Sequence, residues 1–213
     1  SNVAQAGAFV ASRDGLPAPD LQLTFGPVFL GDVGDSHVVK PTEHGVTLGA
    51  ILLRPASHGR VTLRSGDPAA PPRIDPGYLT EPADAEALLH GLRLLLDLAG
   101  TPALRPHAQT RHAPADTSAA GRRAHLRAAT TTMFHPVGTC RMGVDPTAVV
   151  DPSLRVHGLA GLRVVDASVM PTIPGGNTNA PTIAIAERVA DLLRDQVPPT
   201  PVAATWAERG GRP

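Results

Sequence analysis

One long amphipathic segment constrains the fold of this chain more than any other feature. After Pro82, apolar residues recur at steps of three and four until Gly100 and Pro102, and this pattern predicts a helix with one buried face. The apolar positions are Ala85, Leu88, Leu89, Leu92, Leu95, Leu96 and Ala99. Because Gly and Pro end helices, the boundaries of this helix are as well specified as its buried face.

The segments before this helix have the composition of strands. Residues 21–30 and 46–53 are short and rich in branched or aromatic apolar side chains, and residues 60–64 alternate polar with apolar. Closely spaced prolines then leave room only for a short edge strand at residues 73–75. We predict an α+β fold in which a mainly antiparallel sheet, covered by helices, forms a domain over residues 1–132.

The second part of the chain is predicted to alternate strand and helix. A helix at residues 118–129 follows capping residues, and the Thr run after it favours extended backbone, so residues 133–135 are predicted as a strand. A short strand at residues 162–165 precedes Asp166. A terminal helix begins at Pro181, which suits a first helical turn, and continues to about Asp195. Residues 133–196 form this segment, and the Pro- and Gly-rich residues 197–213 are predicted to be a flexible tail.

Composition narrows the classes of function. Lys+Arg and Asp+Glu number 19 each, so the sequence offers no electrostatic support for binding a nucleic acid or an anionic membrane. A hydrophobic content of 42% suits a globular chain, and neither a long apolar run nor a signal sequence is visible. The single Cys140 excludes an internal disulfide framework, which favours a reducing, cytoplasmic location. We expect a small-molecule role, and the oligomeric state, including a homo-oligomer, stays open.

Two stretches carry residue types suited to catalysis. His135 is followed by Pro136, and Gly138 permits a tight turn after them; an imidazole exchanges protons near neutral pH. Residues 175–182 read GGNTNAPT, and Asn179 or Thr178 can cap the helix that follows. The positive end of that helix would stabilise an anionic group, such as a reduced flavin.

Structural roles are the alternative for each of these residues. A lone histidine is more often structural than catalytic, the Asn-rich loop can be a helix cap alone, and Asp166 can be a turn acid instead of a nucleotide-binding residue at a strand end. Two pairs, His107 with His112 and His135 with Cys140, are too loosely spaced to indicate a metal site.

Several long motifs together resemble the carboxyl-terminal half of the glucose-methanol-choline (GMC) flavoprotein oxidoreductases, on the side of choline dehydrogenase. They are HPVGTCRMG, VVDPSLRVHGLAGLRVVDASVMP and GGNTNAPTIAIAERVADLL, and stretches such as LLRPASHGRVTLRSGDPAAPPRIDPGYL extend the similarity upstream. The resemblance implies that residues 133–196 complete an FAD-binding α/β domain. It also implies oxidation of an alcohol, with FAD as the cofactor.

The resemblance assigns roles to seven residues. His135 would accept the proton of the substrate hydroxyl, and Asn177 would hydrogen-bond the same oxygen while hydride passes to the flavin. The residues expected to contact the cofactor are Asp166, Ala167, Asn179, Pro181 and Thr182.

One motif of the family is missing. The sequence contains no Gly-x-Gly-x-x-Gly, the turn that holds the pyrophosphate of a dinucleotide. We therefore expect the 213 residues to be a carboxyl-terminal portion that lacks an amino-terminal FAD-binding half, and to be inactive alone. The alternatives are a flavin-dependent lyase of the hydroxynitrile-lyase type and a catalytically silent assembly module.

Overall fold

The computed structural model describes residues 6–28, 44–107 and 110–194. The strands in these ranges are β1 (Ala6–Val10), β2 (Leu21–Gly26), β3 (Thr47–Leu52), β4 (Arg60–Thr62) and β5 (Arg73–Asp75). The α-helices are α1 (Pro82–Ala99), α2 (Ala119–Ala129) and α3 (Asn179–Leu193). The fold is α+β with antiparallel sheets, as predicted.

Strands β1, β2 and β3 form one antiparallel sheet in that order. Ala6 lies opposite Phe25 in the first pair, and Leu21 lies opposite Leu52 in the second. The strands predicted at residues 21–30 and 46–53 are confirmed as the shorter β2 and β3, and residues 29–30 of the first prediction lie outside the described residues. Strand β1 was not predicted, because three of the five residues in its sequence AGAFV are Ala or Gly, which are less common in strands.

Helix α1 packs on this sheet with a face that matches the predicted one only in part. Leu89 and Leu95 are buried and the other five predicted positions are half-buried, whereas Ala87 and Gly91, which were not predicted, are buried. Leu21 of β2 is completely buried beneath the helix. Gly91 permits a close approach of the helix to the sheet, since a Cβ placed there would lie 2.9 Å from the Cβ of Ala50 in β3. The helix begins at Pro82 and ends before Gly100, so both predicted boundaries are confirmed.

The small ribbon of β4 and β5 lies apart from this core. Val61 pairs with Ile74 in antiparallel register, and the residues of both strands are exposed. The edge strand predicted at residues 73–75 is confirmed, and the strand predicted at residues 60–64 is shorter than expected.

A second core organises the carboxyl-terminal part of the chain. Val150, Leu154, Val169 and Val189 are buried together. Met142, Val156, Val164, Val165 and Ile185 pack around these four residues. Helix α3 thus packs against loops that are joined by isolated bridges, not against a continuous sheet.

Two predicted strands in this part are wrong. Phe134 has a φ of 60°, which breaks the extended backbone expected at residues 133–135. Residues 162–165 form only a single antiparallel bridge, between Arg155 and Arg163. The N–H of Val156 donates to the carbonyl of Leu162, so this backbone is satisfied by a tight loop rather than by a ladder.

The two remaining helices agree with prediction except at one end. Helix α2 is capped by Ser118, whose Oγ accepts a hydrogen bond from the N–H of Gly121 at 3.0 Å. Helix α3 begins at Asn179, two residues before the predicted start at Pro181. Its predicted end at Asp195 and the predicted tail at residues 197–213 lie outside the described residues. Within the described ranges, none of the helices combines the length and apolar content needed to cross a membrane.

Candidate active site

A hydrogen bond joins the two stretches that the sequence selected for catalysis. Nδ1 of His135 lies 3.1 Å from Oγ1 of Thr178, although the residues are 43 positions apart. His135 is half-buried, and Thr178 is only 7% exposed. The imidazole therefore lies against the loop that carries Asn177, at the start of α3.

The turn after His135 is held by a second segment. Gly138 has a φ of 90°, the left-handed conformation that glycine adopts most readily. Beyond it, the N–H of Cys140 donates to the carbonyl of Ser168 at 3.0 Å, and the N–H of Met142 donates to the carbonyl of Val169 at 2.8 Å. Residues 138–142 thus run alongside residues 168–170.

Asp166 shapes this second segment. Its carboxylate caps the short 3₁₀ turn Ala167–Val169 and accepts hydrogen bonds from the N–H of Ser168, at 2.8 Å, and from the hydroxyl of the same residue. Asp166 is exposed and Ala167 is half-buried. The carboxylate therefore has the capping role considered in the sequence analysis, and its remaining surface is open to solvent.

The loop before α3 brings Asn177 to the surface. Gly175 has a φ of 81°, and a Cβ placed on it would lie 3.6 Å from Nη2 of Arg54, which follows strand β3. Asn177 and Asn179 are both exposed. Within the described ranges, the hydrogen bond of the His135 ring is with Thr178, the neighbour of Asn177, and not with Asn177 itself.

The first turn of α3 is suited to an anionic group. Thr178 is the N-cap, yet its side chain makes no capping hydrogen bond. Both the N–H and the hydroxyl of Thr182 donate to the carbonyl of Thr178, at 3.0 and 2.7 Å, and Pro181 has no N–H. The amides of Asn179 and Ala180 therefore lack a capping side chain at the positive end of the helix dipole. This end fits a ring that takes up negative charge, as a flavin does on reduction.

Thr178 is the residue of the candidate site whose contact with His135 the sequence did not predict. Its position between two asparagines, just before a helix, indicated a possible cap, and the structure turns its side chain toward His135 instead. A single sequence has no periodic signal for a hydrogen bond between side chains 43 residues apart.

A cluster of hydrogen-bonded side chains lies in the loop that follows the site. Nη1 and Nη2 of Arg141 donate to the two carboxylate oxygens of Asp145 at 2.9 and 2.6 Å, and Thr147 donates to the same carboxylate. These hydrogen bonds, those from Arg141 first, hold the pKa of Asp145 far below its ordinary value. The backbone N–H of Arg155 likewise lowers the pKa of Asp151.

No group of three or more His, Cys, Asp or Glu side chains in the described part of the chain is arranged to hold a metal ion. The candidate site combines the imidazole of His135, the hydroxyl of Thr178, the exposed carboxamides of Asn177 and Asn179, and the amino terminus of α3.

The family model for GMC oxidoreductases, in its carboxyl-terminal domain, matches residues 55–186. The chain belongs to the GMC oxidoreductase family. The match includes His135, Asn177 and the other residues that the motifs had indicated.

Relatives of this GMC chain include proteins named as alcohol and choline dehydrogenases. It is 44% identical to an alcohol dehydrogenase [acceptor] of Pseudomonas putida over 91% of its own length and 35% of the relative's. It is 39% identical to an oxygen-dependent choline dehydrogenase of Burkholderia cenocepacia over 100% of its length and 38% of the relative's. The chain thus spans well under half the length of these relatives.

Solved structures of flavoproteins share the fold of this GMC chain. It superimposes on formate oxidase of Aspergillus oryzae, a protein studied for modification of its FAD, with a TM-score of 0.74 and 31% identity. The alignment covers 84% of this chain and 32% of the formate oxidase chain.

Proposed function

We propose that this chain is the carboxyl-terminal portion of an FAD-dependent oxidoreductase that oxidises the CH–OH group of a small alcohol. The observation that supports this most is the hydrogen bond between His135 and Thr178, because it positions an imidazole beside Asn177 and the open amino end of α3. The names of the alcohol and choline dehydrogenases that this chain resembles support the same class of reaction.

Each residue of the site has a distinct task in this reaction. His135 accepts the proton of the substrate hydroxyl as the C–H bond breaks, which is the usual task of a positioned imidazole. The exposed carboxamide of Asn177 donates a hydrogen bond to the same oxygen and orients the carbinol carbon. Bound FAD supplies the acceptor for the hydride that leaves this carbon.

The cofactor would be held by residues on two neighbouring segments. The amides at the start of α3 favour negative charge, and the hydroxyl of Thr182 donates to the carbonyl of Thr178 at the same end of the helix. Exposed Asp166 and half-buried Ala167 lie on the segment that runs beside the turn after His135. The expected contacts are Asp166, Ala167, Asn179, Pro181 and Thr182. The remaining part of the dinucleotide site belongs to an amino-terminal portion, since a Gly-x-Gly-x-x-Gly turn is absent from this sequence.

The first experiment is to express the 213 residues with and without upstream coding sequence and to record the visible spectrum of each product. We expect bound flavin and alcohol-dependent reduction of a dye only in the longer product. The longer product could instead bind flavin, show no dye reduction with any alcohol, and release an aldehyde from a cyanohydrin. That result would contradict the proposed oxidoreductase activity and would favour a lyase.

Two substitutions in the longer product test the roles of the residues. His135→Ala should lower turnover by about a hundredfold or more, the usual effect of losing a positioned acid or base. Asn177→Ala should lower turnover more than flavin content. His107→Ala is the matched control, because His107 is exposed on a separate 3₁₀ turn. Unchanged turnover in His135→Ala would remove this residue from the mechanism.

Location and assembly remain predictions. The single Cys140 favours a reducing compartment such as the cytoplasm, and a homo-oligomer is consistent with the exposed apolar side chains of α3, among them Ile183 and Leu193.

A further inference from the structure

Thr178 is a buried polar residue whose side chain does not serve as the helix cap expected at its position. A threonine at a helix N-cap commonly accepts a hydrogen bond from the first turn, but Thr178 makes none. Its side chain is almost fully buried, and its hydroxyl lies 3.1 Å from Nδ1 of His135. Burying a hydroxyl is costly unless it is hydrogen-bonded, so the contact with His135 accounts for the burial of this group.

The hydrogen bond determines which nitrogen of His135 is available for chemistry. Neutral imidazole has one N–H donor and one acceptor nitrogen, and the partner of one nitrogen selects the tautomer. Nδ1 is occupied by Thr178, so a substrate proton can be accepted only at Nε2. Nε2 has a free lone pair only when the proton of the neutral ring is on Nδ1, and then Nδ1–H donates to Oγ1 of Thr178.

The same arrangement is maintained after proton transfer. Protonated histidine carries N–H groups at both nitrogens, so Nδ1–H can still donate to Thr178 once Nε2 has taken up a proton. The ring therefore has no need to rotate during turnover. With the opposite polarity, in which the Thr178 hydroxyl donates to Nδ1, the bond would have to break or reverse when His135 becomes charged.

We propose that Thr178 is a positioning residue that accepts a hydrogen bond from Nδ1–H of His135 and so makes Nε2 the proton acceptor. This inference rests on the proposed role of His135. It adds a residue to the site that acts through His135 and does not itself touch the substrate.

The test uses the flavin-loaded longer product and the nitrogen chemical shifts of His135, which distinguish the Nδ1–H from the Nε2–H tautomer of the neutral ring. We expect Nδ1–H in the unmodified chain. In Thr178→Val, which keeps the branched shape but removes the hydroxyl, we expect the Nε2–H form that neutral histidine favours in water. Thr178→Ser should retain Nδ1–H. Thr101→Val is the matched control, since the hydroxyl of Thr101 bonds to the carbonyl of Leu98 at the end of α1.

Nε2–H in the unmodified chain, or a tautomer that does not change in Thr178→Val, would overturn the inference. If the spectrum of Thr178→Val is that of an unfolded protein, the Thr178→Ser variant decides instead. Loss of the Nδ1–H tautomer in Thr178→Ser would also overturn the inference. These results do not depend on activity, so they separate this inference from the proposed function.

The flavin-loaded longer product provides a second measurement. Thr178→Val should lower kcat by about tenfold, the usual effect of one lost hydrogen bond, with little change in KM. Thr178→Ser should restore most of the loss. A rise in KM with unchanged kcat would mean that Thr178 contacts the substrate directly, and the positioning role would be wrong.

Discussion

Asp84 joins the start of helix α1 to the loop after strand β3, and its removal has a predictable effect on stability. The residue is 5% exposed, and its two carboxylate oxygens accept hydrogen bonds from the backbone N–H groups of Ala56 and Ser57 at 2.9 and 2.8 Å. Alanine at position 84 would leave both N–H groups without this acceptor. Hydrogen bonds to a charged group contribute about 1.5 kcal/mol or more each, so Asp84→Ala should lower the free energy of unfolding by about 3 kcal/mol.

This change is measurable by urea and thermal unfolding of the 213-residue chain. For a chain of this size, about 1 kcal/mol corresponds to a shift in Tm of about 2–4 °C, so the expected fall is about 6–12 °C. The Tm of Asp84→Asn, which keeps one acceptor oxygen, should lie between that of the unmodified chain and that of Asp84→Ala. Asp97→Ala is the control, because Asp97 is exposed on the same helix. A loss in Asp84→Ala no larger than in Asp97→Ala would refute the reasoning that the carboxylate stabilises this loop.

Two further substitutions test the packing of the first core and the charged loop. Gly91→Ala should destabilise the chain by about 1–3 kcal/mol despite alanine's better helix propensity, because its Cβ would lie 2.9 Å from that of Ala50. The double variant with Ala50→Gly should recover part of this loss in urea unfolding, and no recovery would contradict the steric cause. Asp145→Asn should destabilise the chain at neutral pH, because the folded state lowers the pKa of Asp145. The ionised carboxylate stabilises the folded chain fully above its pKa in the unfolded chain, about 3.8, and this stabilisation is lost as the pH falls toward the folded pKa. The difference from the unmodified chain should therefore shrink in unfolding measurements below about pH 3.8, and a difference independent of pH would contradict the ion pair with Arg141.

The sequence predicted those elements whose pattern is local. Helix α1 has an apolar stripe over five turns with Pro and Gly at its ends, and its boundaries are confirmed. The strand expected at residues 133–135 rested on the propensity of the preceding Thr run. Propensity in a strand depends on a neighbour to pair with, and here Phe134 instead turns the chain with a positive φ.

The candidate site was predictable in its stretches but not in its contacts. The motifs around His135 and Asn177 are recognisable in the sequence, and the structure brings these stretches together. The specific partner of His135 is Thr178, selected by the packing of α3 against the second core through Val189. Periodicity cannot indicate such a pair, because the pair depends on where two segments meet in space.

Arg54 connects the sheet to the loop that carries Asn177. The residue follows Leu53, which is buried and whose N–H donates to the carbonyl of Asp20 at 2.8 Å, and it precedes the two amides that Asp84 holds. The backbone on both sides of Arg54 is thus fixed by the first core, while its guanidinium lies against Gly175. A pair of adjacent glycines has unusual conformational freedom, and the side chain of Arg54 lies beside the first glycine of the pair. The buried carboxylate of Asp84 therefore also supports the backbone next to Arg54, whose guanidinium lies beside the loop that carries Asn177.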